Sequence, residues 1–271
     1  VTRSDQNSAK SGLHDGIALT AGSANVIMQL AMLPVGHGVA RSTVESGRID
    51  RHPVKRTRTT LTYLAIASAG TEEERAELRR QINRVHARVH SSENDPVSYN
   101  AFDRDLQMWV AACLYWGAED VYRRMNHQRE PDDEFYRRGA ALGTTLQVPA
   151  EMWPAHRAEF ERYWRTQLAS IRMDDLTREY LHGIARMTFL PTPLRQIAGP
   201  LNRFLTLGYL PQEVRNELGM PWSEASQRRF DRWVAAMAAV NRRTPALIRK
   251  FPFNWILADA RRRMRRGIPL V

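Results

Sequence analysis

The stretch AFDRDLQMWVAACLYWGAEDVYRRM, residues 101–125, has helical periodicity and is apolar nearly all round at its middle. A helix that is hydrophobic on every face is buried on every face, so this stretch reads as a central helix around which the others must pack. The sequence on either side agrees with an all-α fold. Upstream, residues 16–34 form an apolar segment ending at Pro34, and a second helix starts at Pro53, a residue suited to a first turn, and runs to Gly70. Thr71 then caps TEEERAELRRQINRVHARVH (71–90), with Glu74 three residues on completing a capping box. NDPVSY (94–99) is a connector. Downstream, further helices are expected over 132–146, 150–169, 174–187, 193–206, 211–218, 223–242 and 245–265, with prolines 131, 149, 191, 193, 200, 211, 221 and 245 at or near the joints. No run of alternating strands, internal repeat or low-complexity linker interrupts the pattern. The expectation is one all-α domain of about ten helices over residues 16–271, preceded by a flexible segment, residues 1–15.

Composition narrows the function classes. A chain of 271 residues with 43% hydrophobic and 25% charged residues can build one sizeable core. The single cysteine, Cys113, rules out an internal disulfide and points to a reducing compartment. Without a CxxCH, covalent haem attachment is excluded, and cysteine-based zinc clusters go with it. The net charge of +11 arises from 40 Lys+Arg against 29 Asp+Glu. The excess is spread out, as on a solvated surface, and no nucleic-acid partner is expected. The densest run, ADARRRMRRG (258–267), is where peripheral contact with a membrane surface is expected. ANVIMQLAMLPVGHGVA (24–40) is broken by Gln29, Pro34, Gly36 and Gly38 and reads as a buried, broken helix rather than a span. VTRSDQNSAKSG (1–12) has no apolar signal-peptide core, so the expected location is cytoplasmic, with membrane-peripheral contact left open.

The chemistry turns on QINRVHARVH (81–90). At about 100° per residue, Leu78, Ile82, Val85 and Val89 form one stripe, with His86 at its edge and His90 about 40° further round. A two-histidine metal site needs a third ligand, and no carboxylate lies between these two, while Arg84 and Arg88 bracket them. A porphyrin needs one neutral imidazole on an apolar face. A core-edge histidine held by a hydrogen bond is the competing reading. In HPVKRTRTTLTYL (52–64), Arg56 and Thr60 are four apart on one face, with Leu61 and Leu64 marking the buried side. A buried cation costs several kcal/mol unless something pairs with it. Either a ligand satisfies Arg56 and Thr60, or Arg56 reaches solvent and Thr60 bonds back to the helix.

These pieces, in their order, resemble the haem-dependent oxygenase family of rubber oxygenase (latex-clearing protein) and the mycophenolic-acid-pathway oxygenase MpaB. IMQLAMLPVGHGVARST (27–43) is similar to the family's opening segment, and KRTRTTLTYLAIA (55–67) to its Arg-x-x-x-Thr helix. NRVHARV (83–89) resembles its axial-histidine helix, and YNAFDRDLQMWVAACL (99–114) the Trp-Val helix that follows. LPQEVRNELGMPWSEASQRRF (210–230) resembles a segment of short bacterial members. The resemblance implies a globin-like core with a buried haem pocket. His86 would be the ligand of haem b iron, Arg56 and Thr60 the catalytic and haem-facing polar residues, and His90 a propionate or rim contact. His90 stands where relatives often carry Arg, and Thr59 where some carry Lys or Arg. A carboxylate role for Glu45 is not assigned. His37, in PVGHGV, is the reserve ligand against a reading as a loop histidine bonded to backbone.

The resemblance thus implies an oxidoreductase: a haem oxygenase using O2 on a small apolar, unsaturated lipid or isoprenoid-like substrate, with an electron donor as a further partner. Trp109, Trp116, Tyr115 and Met108 are either pocket lining or ordinary core. The alternatives are a non-catalytic helical protein of the same fold that binds haem or lipid and, last, a nucleic-acid binder.

Overall fold

The computed structural model describes residues 15–42, Val44 and residues 50–271. The segment expected to be flexible therefore lies outside the described residues, except Asp15. Among the described residues the chain is all-α. After a 3-10 turn, Gly16–Ala21, come α1 (Gly22–Leu30), α2 (Leu33–Ala40), α3 (Pro53–Ala69), α4 (Glu72–His86) and α5 (Arg104–Met125). Two short helices follow, α6 (Asp133–Gly139) and α7 (Ala141–Thr144), then α8 (Arg157–Ser170), α9 (Asp175–Arg186), α10 (Thr192–Tyr209) and α11 (Gln212–Leu218). The chain ends with α12 (Glu224–Arg243), the short α13 (Ala246–Arg249) and α14 (Phe253–Arg265). An isolated antiparallel bridge, His90 with Asn100, is the one extended pairing among the described residues.

Helix α5 is the centre, as its sequence requires. Trp109, Ala111, Ala112, Cys113 and Tyr115 have no exposed surface. One side of α5 stacks Trp109 and Trp116 on Trp164 of α8, with ring centroids 5.3 and 5.0 Å apart. Tyr115 meets Phe160 edge-on at 4.8 Å, the geometry aromatic quadrupoles favour. α1 closes the next side, where Asn25 donates to the Cys113 carbonyl at 2.7 Å. Met108, Trp109 and Tyr115 are thus core, with Trp116 partly buried against it, and none of the four lines the cavity described below.

Several boundaries differ from the expectation. Pro34 does not end a helix; it sits in the first turn of α2, where its missing N–H costs nothing. The break falls just before it, and the axis turns by 106°. No single helix among the described residues is long and apolar enough to cross a membrane. The helix expected over 150–169 begins as a 3-10 turn and becomes α-helical only at Arg157. That expected over 245–265 is divided at Pro252. Pro200 lies inside α10 rather than at a joint.

Two glycines give opposite expectations. A Cβ on Gly208 of α10 would lie 2.2 Å from the ring of Phe230, which is fully buried and cannot swing aside. Gly208→Ala should destabilise the protein by roughly 1–3 kcal/mol, the usual cost of overpacking. A Cβ on Gly22, helical at φ −57°, would meet nothing within 4 Å. Gly22→Ala should gain about 0.5–1 kcal/mol, because glycine loses more chain entropy in a helix than alanine. Urea denaturation of the three proteins checks both signs.

Candidate functional site

Two helices bring the chemistry together. α3 begins at Pro53, as its fixed φ favours, and is stopped by Gly70. α4 begins at the capping box: the Glu74 N–H donates to Thr71 Oγ1 at 3.3 Å, and the Thr71 N–H donates to Glu74 Oε2 at 2.9 Å. α4 ends at His86, one turn earlier than expected. Beyond it the Ser91 N–H donates to the Tyr99 carbonyl at 2.8 Å and the Ala101 N–H to the Val89 carbonyl at 2.9 Å. Pairing with the following loop thus removes residues 89–91 from the helix.

A cavity of about 250 Å³ opens between α1, α2, α3, α4 and α5. Its walls are mainly aliphatic, with Leu30, Val39, Leu64, Val85, Val110 and Leu114 among them. His86, Arg56 and Thr60 all line it. No carboxylate side chain does so among the described residues.

The electrostatics of this trio are unusual. Burial, helped by the neighbouring Arg56, holds the His86 imidazole down to about 4, so it is neutral near pH 7. The C-terminal end of a helix by itself favours imidazolium; here desolvation outweighs it. The Nδ1 atom of His86 is buried and has no hydrogen-bond partner among the described residues. The ring's aromatic neighbour is Phe102, edge-on at 6.3 Å. Burial also lowers the Arg56 guanidinium, and no described carboxylate forms an ion pair with it. The contrast with Arg157 is clear: that side chain reaches Glu119 at 2.8 Å and Glu130 at 2.7 Å.

The remaining expected residues fall elsewhere. His90 is exposed, does not line the cavity, and its Nδ1 lies 3.2 Å from the Ser91 carbonyl. Because α4 stops at His86, the two histidines are not one helical turn apart. His37 is buried on the other side of α2, its Nε2 2.6 Å from Asp174 Oδ2. Nε2 ties α2 to the start of α9, while Nδ1, like that of His86, is buried without a partner among the described residues. Glu45 lies outside the described residues. Thr59 lines the cavity, whereas Arg58 is exposed.

Some lining residues were missed from sequence. Tyr63 lines the cavity and donates its hydroxyl to the Leu142 carbonyl at 2.6 Å. Arg56, Thr60 and Tyr63 are spaced as one face of a helix, so this one was within reach. Gln107 also lines the cavity. Its Nε2 donates to Gln147 Oε1 at 2.6 Å, and Gln147 Nε2 donates to Asn83 Oδ1 at 2.7 Å. That chain ties α5 to α4 one turn before His86, and no local pattern links residues so far apart in sequence.

Among the described residues no group of three or more His, Cys, Asp or Glu is placed to hold a bare metal ion. A planar macrocycle brings its own in-plane donors and asks the protein for an axial one. A neutral imidazole on an apolar cavity, beside a guanidinium, fits that demand; neither has a carboxylate partner among the described residues.

The family model described as ER-bound oxygenase mpaB/B'/Rubber oxygenase, catalytic domain, matches residues 9–239. Similar curated proteins include the uncharacterized protein Rv2237 of Mycobacterium tuberculosis and the uncharacterized protein Mb2261 of Mycobacterium bovis. Each is 45% identical over 251 residues, which cover 92% of this chain and 98% of the relative. No solved structure matches. The ordered motifs on α2 to α5 and the match over most of the chain lead to one conclusion: the chain belongs to the family of the ER-bound oxygenases mpaB/B' and rubber oxygenase, over their catalytic domain.

Proposed function

We propose that this protein is a haem b-dependent oxygenase acting with O2 on a small apolar, unsaturated lipid or isoprenoid-like substrate. The observation that carries the reading is the neutral imidazole of His86, beside Arg56, on the wall of an apolar cavity. When bound, haem would supply dioxygen activation and the redox chemistry.

The protein's own part follows from its side chains. His86 would hold the haem iron through a ring-nitrogen lone pair, kept unprotonated by burial and by Arg56. The Arg56 guanidinium supplies the positive charge that a propionate or another anion would neutralise, offsetting the cost of its burial. The Thr60 hydroxyl makes no bond back to the α3 backbone among the described residues and can donate into the cavity. The aliphatic walls exclude water and accept an apolar substrate. With no described carboxylate side chain on the wall, a proton would move through hydroxyl groups such as those of Thr59, Thr60 and Tyr63, or through water. His37 and His90 do not line the cavity and are given no role in this reading.

Protein expressed with haem supplied should show a Soret band at near-stoichiometric haem, lost or shifted in His86→Ala. A band of equal strength in the variant would remove His86 as ligand. A haem-free protein that still takes up lipid would favour the non-catalytic binding reading. The pH dependence gives a second check. Protonation blocks ligation, and the folded imidazole titrates near 4, so haem uptake by the apoprotein should be flat from about pH 8 to pH 5.5 and fall only below that. Because Arg56 lowers the imidazole, Arg56→Gln should move the fall to higher pH. A wild-type midpoint near 6.5, the ordinary histidine value, would contradict the geometry.

A further inference from the structure

The family match ends at residue 239, and the segment beyond it has a character of its own. Leu247, Ile248, Phe251 and Trp255 are 79%, 65%, 60% and 60% exposed. Four large apolar side chains within nine residues are thus left in water. They do not sit on a fraying end. On one flank Arg249 pairs with Asp15 at 3.3 Å, and the N-terminal turn packs so closely that a Cβ on Gly16 would lie 2.0 Å from the Phe251 carbonyl oxygen. On the other flank Phe253 and Ile256 are buried against Ala65 of α3. The exposed side chains are held out by a fixed backbone.

Apart from Asp15, which pairs with Arg249, the charge the segment itself carries has one sign. Residues 232–258 contain no Asp or Glu, but contain Arg232, Arg242, Arg243, Arg249 and Lys250. Arg242 and Arg243 are exposed at the end of α12, and neither has a carboxylate partner among the described residues. The basic run at 258–267, where membrane contact was expected, is less free: Arg261 pairs with Glu74 at 2.7 Å and Arg262 with Asp259.

We propose that residues 242–255 dock the protein on an anionic lipid bilayer. Leu247, Ile248, Phe251 and Trp255 enter the boundary between headgroups and acyl chains, and Arg242, Arg243 and Lys250 meet lipid phosphates. Aromatic rings and long cationic side chains are stabilised at that depth. Anionic lipid attracts each basic residue near the surface. A nucleic acid would answer the cations but would leave Leu247 and Ile248 in water, so a bilayer satisfies both halves of the patch. The docking does not depend on haem. It does set the cavity close to a bilayer, because α14 packs along α3, the helix that carries Arg56 and Thr60.

The test is co-sedimentation of the full chain with phosphatidylcholine vesicles, with and without a minority of phosphatidylglycerol. The wild type should pellet with the anionic vesicles. Phe251→Ser/Trp255→Ser and Arg242→Glu/Arg243→Glu should each weaken binding at least tenfold, with circular dichroism and gel-filtration profiles unchanged. Arg265→Glu/Arg266→Glu, in the basic run, should bind nearly as the wild type does. Brominated lipid should quench wild-type tryptophan fluorescence more than that of Trp255→Phe. Failure to pellet, or equal pelleting of the Phe251/Trp255 variant, overturns the proposal. So does a wild-type dimer that this variant converts to monomer, since a second copy would then cover the patch, and so does tighter binding to duplex DNA than to the vesicles.

Discussion

A helix that is apolar on almost every face cannot be left against water, and α5 imposes that condition on the rest of the chain. α8 covers its tryptophan side and α1 its Asn25 side. The remaining face, with Leu106, Gln107, Val110 and Leu114, looks into the cavity. The wall opposite that face is formed by α3 and α4. The cavity is a part of the core that the chain does not fill with its own side chains, and His86, Arg56 and Thr60 face it.

Charge tells the same story. This is a chain rich in arginine, and much of its semi-buried arginine is answered locally. Arg157 and Arg123 share Glu119 and Glu130, and Arg124 bonds Asp120 at 2.7 Å while lying over the rings of Tyr209 and Phe230. Arg56 is treated differently, lacking a described carboxylate and facing the cavity beside an imidazole that it helps to keep neutral. A fold that needed only stability would gain by replacing such a pair with aliphatic side chains. In the function proposed above, a ligand with a negative group and a vacant coordination position completes the pair.

Much of this was legible in the sequence, for reasons that can be named. Pro53, Gly70 and the Thr71–Glu74 box set the bounds of α3 and the start of α4 by local chemistry alone, and the all-round apolar character of α5 gave the centre of the fold. Arg56 and Thr60 lie on the same cavity wall as their spacing placed them, and Tyr63, the next position on that face, was legible but unread. Illegible features were tertiary. α4 stops at His86 because residues 89–91 bond to residues 99–101, which helical propensity cannot foresee, and this is what separates His90 from His86. Likewise, the engagement of His37 by Asp174 joins residues far apart in the chain. The Gln107–Gln147–Asn83 chain is of the same kind. Pro34 misled because a proline that ends one helix and a proline that opens the next leave the same mark in sequence.

The most direct test of the central claim is resonance Raman spectroscopy of the ferrous, haem-loaded protein, with natural and 15N-labelled histidine. Ligation by His86 should give an iron–histidine stretching band that shifts with the label, is absent from His86→Gly, and is replaced by an iron–imidazole band when imidazole is added to that variant. A label-sensitive band that persists in His86→Gly without imidazole would mean that another residue holds the iron, and the reading of this cavity would have to be abandoned.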